Sequence, residues 1–154
     1  MSNPNTDKMK RQISLLLALA CFIAAPVRII AQHTAGYFEA LNPIPEGKAV
    51  VYIYRVSSYA AAIHYKVNAN DEPVMHMALY IDGYMVYLAD PGKLELWAQM
   101  GKHREGIDLD VVAGKSYFVE GSVVSDSWTS MPHFTLVPKD KALKQIHKCK
   151  RLVE

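Results

Sequence analysis

The chain has 154 residues, of which 51% are hydrophobic and 21% charged, a composition typical of one globular domain and not of a disordered tail. Its formal net charge of +2 reflects a basic N-terminus, because residues 32–154 hold 13 basic and 14 acidic side chains. Nucleic-acid binding requires clustered charge that neutralises phosphates, so we expect no nucleic-acid partner. Charge is nevertheless uneven along the chain, and the C-terminal segment from Lys139 onward is basic.

Residues 1–31 are predicted to be an export signal. The basic stretch DKMKRQ is followed by the apolar run ISLLLALACFIAAPV, and small residues come next. Pro26 and Arg28 interrupt this run before it reaches the about twenty apolar residues that a membrane-spanning helix needs. We therefore expect cleavage after Ala31, which makes Gln32 the first residue of the mature chain and leaves residues 32–45 as a linker.

Cys21 lies within the apolar run and offers an alternative, because a cysteine in such a signal can carry the lipid of a bacterial lipoprotein. The pattern is imperfect, since Ala18 and Leu19 stand where such signals usually have a leucine and then a small residue. We expect a periplasmic or cell-envelope protein that is held at a membrane only if Cys21 is lipidated. Without the signal, Cys149 is the remaining thiol, so no intramolecular disulfide is expected.

The period of two that is typical of strands begins in the stretch EGKAVVYIYRVSS, residues 46–58. Val51 and Ile53 fall on one side of this strand and Tyr52 and Tyr54 on the other, so both faces should be largely covered. Arg55 ends the apolar run. We expect it to pair with a nearby carboxylate or to cover apolar surface with its aliphatic stem.

Residues 74–81 are predicted to form a second strand. The pair Asp82 and Gly83 follows it and indicates a tight type I′ hairpin turn, in which both central residues need positive φ. Residues 84–88 are the predicted return strand.

Turn residues and strands continue to alternate through the second half of the chain. Pro91 and Gly92 predict a turn, after which LELWAQM alternates with its leucines on one face, and GKHREG is predicted as the next loop. IDLDVV alternates with aspartates outward and apolar residues inward. A turn at Gly114 and the strands YFVEGSVV and HFTLVP complete the set.

After Pro138 the period changes from two to nearly four, which predicts an amphipathic helix over residues 139–154 capped by Asp140. Its apolar stripe should cover the tyrosines of the first strand. The fold class is therefore mainly β, a small antiparallel β-sandwich over residues 46–138 with a C-terminal helix packed on it. The stripe consists of Ala142, Ile146, Cys149 and Val153.

The motifs GKAVVYIYR, YIDG, DPGKLEL, VVAGKSYFVEG and LKQIHKCK resemble a bacterial family of unknown function whose members are often predicted to be envelope lipoproteins. The central portion is also similar to PEGA-type β-sandwich domains. The resemblance spans residues 46–151, nearly the whole expected mature chain, and these motifs specify turns and core strands. It implies a small β-sandwich in the cell envelope and supplies no catalytic residues.

The sequence contains no recognisable catalytic or cofactor-binding motif. AGKSY lacks the earlier glycine of a phosphate-binding loop, and no Gly-x-Ser-x-Gly elbow is present. We therefore expect no enzyme and no cofactor, with a hydrolase as the third hypothesis. The second hypothesis is a soft-metal, copper-binding protein, because thioether and imidazole ligands suit that ion. Its candidate ligands are Met75, His76, Met77, Met85, Met100 and His103.

Aromatic side chains provide the remaining functional signal. Trp128 lies in the polar segment SDSWTSM, where a large aromatic either folds back onto the core or contacts a partner. Burial under the helix or within the second sheet is the competing interpretation for the tyrosines. The first hypothesis is thus a non-catalytic binding or scaffolding domain for an unknown protein or glycan of the cell envelope. The candidate partner surface comprises Trp128, Tyr84, Tyr87, Tyr52, Tyr54 and Arg55.

Overall fold

A computed structural model describes residues 37–126 and 128–153, and in this part of the chain strands predominate. One short helix, α1 (Lys139–Ile146), follows the eighth strand. The strands are β1 (Ala49–Arg55), β2 (Asn68–Ala69), β3 (Glu72–Pro73), β4 (Gly83–Ala89), β5 (Gly92–Met100), β6 (His103–Val111), β7 (Ser116–Ser125), β8 (Ser130–Leu136) and β9 (Lys150–Arg151).

The strands form two sheets, which confirms the small β-sandwich. One sheet has five strands in the order β8-β7-β1-β4-β9, and the other has four in the order β3-β2-β5-β6. β1 pairs antiparallel with β4 and parallel with β7. The five-stranded sheet is therefore mixed, and its central strand β1 has a neighbour on each side.

Every residue of β1 is buried, as its pattern of side chains predicts. Val51 and Ile53 belong to the core between the two sheets. Val50, Tyr52 and Tyr54 point the other way and belong to a second apolar cluster. Burial of a large apolar side chain is worth roughly 1.5 to 3 kcal/mol, so a strand that is buried on both faces anchors the fold.

The second cluster is covered by segments from both ends of the described chain. Phe38 and Leu41 pack on it from the N-terminal side, and Ala142 and Ile146 of α1 pack on it from the C-terminal side. The predicted contact of the helix stripe with the tyrosines is confirmed for Ala142, Ile146 and Cys149, whereas Val153, the fourth residue of the stripe, does not belong to this cluster. The sandwich thus has a third, thinner layer over its five-stranded sheet.

The helix is shorter than predicted, since α1 ends at Ile146 and not at the C-terminus. The chain then forms β9, which runs parallel to β4 and pairs Lys150 with Gly83. Backbone pairing with a sheet edge replaces helical hydrogen bonds there, and Val153 is 40% exposed. The predicted cap is also wrong: Asp140 lies in the first turn, Pro138 is the N-cap residue, and no side chain caps the helix.

Residues 74–81 do not form the predicted strand. The preceding residues make the short pair β2 and β3, and Pro73 has no N–H group with which to continue a ladder. The chain then runs irregularly until Leu79, which is fully buried and pairs with Tyr65. The alternation of apolar residues in this segment thus does not correspond to a strand of either sheet.

The turn before β4 also differs from the prediction. Gly83 donates a hydrogen bond to the Tyr80 carbonyl over 3.1 Å, so the central residues are Ile81 and Asp82, and Asp82 has a φ of +56°. Gly83 is already part of β4, which pairs with β1 and β9 and not with a preceding hairpin strand. A Cβ at Gly83 would lie 3.0 Å from the Tyr80 oxygen and 3.1 Å from the Leu152 methyl groups. Glycine is therefore needed for close approach and not for positive φ.

A two-residue hairpin joins β5 and β6, so the predicted six-residue loop is mostly strand. Met100 pairs with His103 across the turn, and Gly101 at its first central position has a φ of +60°. The alternation predicted for β6 is confirmed: Leu109 and Val111 are buried while Asp108 is exposed.

Candidate functional site

The tyrosine face, defined here as Tyr52, Tyr54 and Tyr84 on the outer side of the five-stranded sheet, is buried. Each hydroxyl group meets the layer that covers it. The backbone amide of Leu41 donates to the Tyr52 hydroxyl over 2.6 Å, and the Glu39 backbone donates to Tyr84. Tyr54 donates to Oε1 of Gln145 in α1 over 2.7 Å.

Burial raises the pKa of all three tyrosines above the ordinary value of 10.0, because a phenolate would lose its hydration there. Their rings also pack on one another through Phe38, which lies edge-on to Tyr52 at 5.0 Å and to Tyr84 at 5.3 Å. The tyrosine face is therefore part of the apolar core, and its buried hydroxyl groups are hydrogen-bonded to the layer above. Its assignment as a partner surface is wrong, and the competing interpretation of burial under the helix describes it.

Arg55 is fully buried. Within residues 37–126 and 128–153 it forms no ion pair, so of the two expectations for Arg55 the pairing with a carboxylate is wrong there. Its guanidinium donates to the backbone carbonyls of Ile63, Tyr59 and Ala60, the last over 2.8 Å. The same group lies 5.8 Å from the ring centroid of Tyr65, within range of a cation–π contact. Arg55 thus fastens the loop after β1 onto the sandwich, and it is not accessible to a partner.

Tyr87 is half-buried on β4, opposite Val51 of β1, and packs against the core between the sheets. It therefore lies on the opposite side of the five-stranded sheet from Tyr52, Tyr54 and Tyr84. The structure does not bring the six predicted residues together as one site.

Trp128 is the exception, because its side chain is 97% exposed. It lies in the connection between β7 and β8, and its position is fixed through its backbone. Oδ1 of Asp126 accepts hydrogen bonds from the amides of Trp128 and Thr129 over 3.0 and 2.8 Å. The Asp126 amide in turn donates to the Thr129 carbonyl over 3.1 Å. We call Asp126, Trp128 and Thr129 the Trp128 turn.

The hydrogen bonds of the Trp128 turn favour the ionised form of the Asp126 carboxyl group. Its two backbone N–H partners lower the pKa of Asp126 below the ordinary value of 3.8, and the charge of His103 at the start of β6 acts in the same direction. The carboxylate therefore stays ionised and holds the turn at neutral pH. Sequence reasoning found Trp128 but missed Asp126, although an aspartate two residues before a turn residue is a known signal for this geometry.

Trp97, the other tryptophan, has partners for its side chain. Its indole N–H donates to the Asn70 carbonyl over 2.6 Å, and the Arg104 guanidinium lies 4.3 Å above its ring. Arg104 is held there by an ion pair with Glu95 at 2.9 Å. The exposed ring of Trp128 is thus not a general property of tryptophan in this fold.

The candidate metal ligands are spread over different environments. Met85 is fully buried between the sheets, Met75 and Met100 pack at the border of that core, and Met77 and His103 are exposed. Methionines in such positions commonly fill core space. Within residues 37–126 and 128–153, no three His, Cys, Asp or Glu side chains are grouped as a metal site.

A shallow, open depression of about 280 Å³ lies beside the start of α1. Its lining is largely apolar and comes from β7, from Leu136 at the end of β8 and from the segment that follows, with Ser116, Tyr117 and Lys139 as its polar or ionisable side chains.

The predicted signal and Cys21 lie outside the described residues. In the part of the chain that the structure does describe, no helix has the length and apolar character needed to cross a membrane. Comparison with known proteins gives no match to a family model, to a curated protein or to a solved structure. The resemblance to the envelope family therefore stays a prediction.

Proposed function

We propose that this protein is an exported, envelope-associated binding or scaffolding domain without catalytic activity, and that the Trp128 turn is its contact with a partner. The observation that carries the proposal is the 97% exposure of the Trp128 side chain on a backbone fixed by Asp126. Export and the envelope location are supported by the N-terminal sequence pattern.

The energetics of Trp128 favour a contact role. A tryptophan buries about 150 to 250 Å² when it is covered, which at about 25 cal/mol per Å² corresponds to roughly 4 kcal/mol or more. The isolated domain forgoes this stabilisation, and a partner surface would recover it. Because three hydrogen bonds already order the turn, binding would require little further loss of backbone entropy.

The surroundings of Trp128 suit a partner that is broad and flat. Val124, 41% exposed on β7, adds apolar surface next to the turn, and no enclosing walls are formed by the described residues around the indole. Protein surfaces and sugar rings both pack on an exposed aromatic ring. The class of partner that we propose, an envelope protein or glycan, is the one expected from the sequence, and the exposed indole is compatible with either.

Site-specific photo-cross-linking in the producing cell tests this proposal. A benzophenone side chain is introduced at position 128, at Val124 beside the turn, and at Val112 as a control that is 55% exposed after β6. We expect one discrete adduct from positions 124 and 128 and none from 112. Sensitivity of the adduct to protease or to glycan-degrading enzymes then assigns its class.

A second variant separates contact from proximity. With the probe at position 124, Trp128→Ala should reduce the yield of the adduct at least several-fold while leaving the melting temperature unchanged. Equal adducts from positions 128 and 112, or an unchanged yield in Trp128→Ala, would show that the turn is not the contact.

A further inference from the structure

Charge is divided sharply between the sandwich and the segment that follows it. Residues 37–138 contain seven basic and twelve acidic side chains, whereas residues 139–153 contain six basic ones and a single acid, Asp140. Arg55, one of the seven, is buried, so the sandwich surface is more acidic still. The described chain thus has a net negative charge up to residue 138 and a net positive charge in its last fifteen residues.

The fold presents these basic side chains outward. α1 turns Ala142 and Ile146 toward the tyrosine face, which places Lys141 and Lys144 on its opposite side. β9 lies at the edge of the five-stranded sheet with both of its residues exposed. Neighbouring residues of a strand point to opposite sides, so Arg151, which pairs with Tyr84, lies on the side of α1, whereas Lys150 points the other way. We define the basic face as the five exposed side chains Lys139, Lys141, Lys144, Lys148 and Arg151.

Within the described residues, none of the basic side chains from Lys139 onward forms an ion pair. The two ion pairs that form join Lys48 to Asp90 and Arg104 to Glu95, both on the sandwich. An exposed apolar side chain lies among the basic ones, because Leu143 in α1 is 36% exposed. Basic residues beside an exposed aliphatic side chain suit the boundary between headgroups and acyl chains.

We propose that the basic face docks on an anionic lipid bilayer. Four of its five charges are lysines, which act as flexible point charges and do not impose the bidentate geometry with which arginine selects one carboxylate or phosphate. The charges are also spread over a helix, a turn and a strand edge and do not converge on a pocket. A diffuse, flat array of phosphate headgroups matches this arrangement, with about a fivefold gain in affinity for each basic residue near the surface.

The basic face shares no residue with the Trp128 turn, so the two proposals stand independently. Membrane docking would orient the domain, with its acidic sandwich turned away from the bilayer. Such attraction falls with ionic strength, because salt screens charges beyond about 10 Å at 0.1 M.

Vesicle co-sedimentation tests the proposal on the protein as the cell processes it. Vesicles of phosphatidylcholine alone are compared with vesicles containing about 30% phosphatidylglycerol, so that any apolar contribution from the N-terminus cancels in the difference. We expect binding that requires the anionic lipid, falls at least tenfold in Lys144→Glu/Lys148→Glu, and is lost in 500 mM salt. The matched control Lys93→Glu/Lys115→Glu makes the same charge change on the sandwich, at two exposed lysines of β5 and the turn before β7, and should bind within about twofold of the unmodified protein.

Further arms locate and identify the interaction. Trp128→Ala should bind vesicles normally, and millimolar inorganic phosphate should not compete. Equal binding to both vesicle types, equal loss in both double variants, loss in Trp128→Ala, or competition by free phosphate would each overturn the proposal. The melting temperature of each variant should match that of the unmodified protein, since all of the substituted lysines are exposed.

Discussion

The tyrosine face and the Trp128 turn are both rich in aromatic surface, yet one is core and the other lies in water. The hydroxyl groups of Tyr52 and Tyr54 are bonded to the N-terminal segment and to α1, so the layer that covers the rings also satisfies their polar atoms. At Trp128 the hydrogen bonds are made by the backbone, and the ring is left without a cover.

The difference teaches which bonds distinguish an aromatic core from an aromatic contact. A buried hydroxyl needs a partner, and finding one in a covering segment fixes that segment on the sheet. Hydrogen bonds made only by the main chain stabilise the conformation of a loop, but they do not require its side chain to be buried. Four experiments, from the largest expected effect to the smallest, can break or sharpen this contrast.

Removing the cover should have the largest effect. Ile146→Asp places a carboxylate against the buried face, and we expect a loss of about 4 kcal/mol or more in unfolding free energy, or failure to fold. Leu143→Asp on the same helix is the matched control, because that side chain is 36% exposed and should cost less than about 1 kcal/mol. Chemical denaturation measures both. Similar costs for the two variants would mean that α1 does not cover the tyrosine face.

Alkaline pH should weaken the same cover. Burial raises the pKa of Cys149 from 9.0 to about 12, so the folded state favours the neutral thiol, and the tyrosines are shifted in the same direction from 10.0. The stabilisation is fully present below pH 9 and is lost as the pH rises toward 12. Each such group adds a slope of up to about 1.4 kcal/mol per pH unit. Unfolding free energies from pH 8 to 11 should decline less steeply in Cys149→Ala, and equal slopes would contradict the burial of this thiol.

A single hydroxyl group should matter more on the tyrosine face than a whole indole at the turn. Tyr54→Phe leaves Gln145 without its 2.7 Å partner and should cost about 1 kcal/mol. Trp128→Ala removes a larger group but should change stability by less than about 0.5 kcal/mol. Thermal or denaturant unfolding of both variants decides this, and a greater cost for Trp128→Ala would show that the ring packs on the domain.

The smallest effect concerns the order of the turn itself. Asp126→Ala should leave the melting temperature unchanged but increase the motion of Trp128, whereas Asp126→Asn keeps an acceptor oxygen and should preserve most of the order. Fluorescence anisotropy in a Trp97→Phe background isolates the signal. Because the pKa of Asp126 is lowered, the order should persist below pH 3.8. As the pH falls through that lowered value the order should weaken without vanishing, since the protonated carboxyl, like an amide, keeps one acceptor oxygen. Identical anisotropy in all three proteins would exclude a role for the carboxylate.

The period of two in the sequence correctly predicted two kinds of strand: those with one apolar and one polar face, and those with two apolar faces. The burial of β1 on both faces and the one wet face of β6 follow directly from alternation, because side chains of a strand point to opposite sides. Residues 74–81 show the limit of that signal. Their alternation was compatible with a strand, but β1 takes its neighbours from β4 and β7, which are distant in sequence.

Contacts that are remote in sequence explain the remaining differences in the fold. Gly83 was interpreted as a turn glycine because it follows an aspartate, whereas part of its constraint comes from Leu152, sixty-nine positions later, beside the nearby Tyr80 oxygen. The helix stripe continues in the sequence through Cys149, but an available strand edge at β4 ends the helix first. Local patterns carry no information about either neighbour.

The candidate site was only partly predictable for the same reason. A tryptophan among polar residues stands out in the sequence, so Trp128 could be identified. Whether Tyr52 and Tyr54 are covered depends on segments at both ends of the chain, and the carbonyl partners of Arg55 have no side-chain signature. Export, the envelope location and the family resemblance stay predictions.

Hydroxyl-radical footprinting, read by mass spectrometry at single residues, tests the central contrast most directly when it is done on the purified protein and in intact producing cells. In the purified protein we expect rapid modification of Trp128 and of the exposed Tyr59, and slow modification of Tyr52, Tyr54 and Tyr84. In cells Trp128 should become protected by its partner while Tyr59 stays reactive. Slow modification of Trp128 in the purified protein, or the same rate in cells as in isolation, would contradict the assignment of the Trp128 turn as a contact surface.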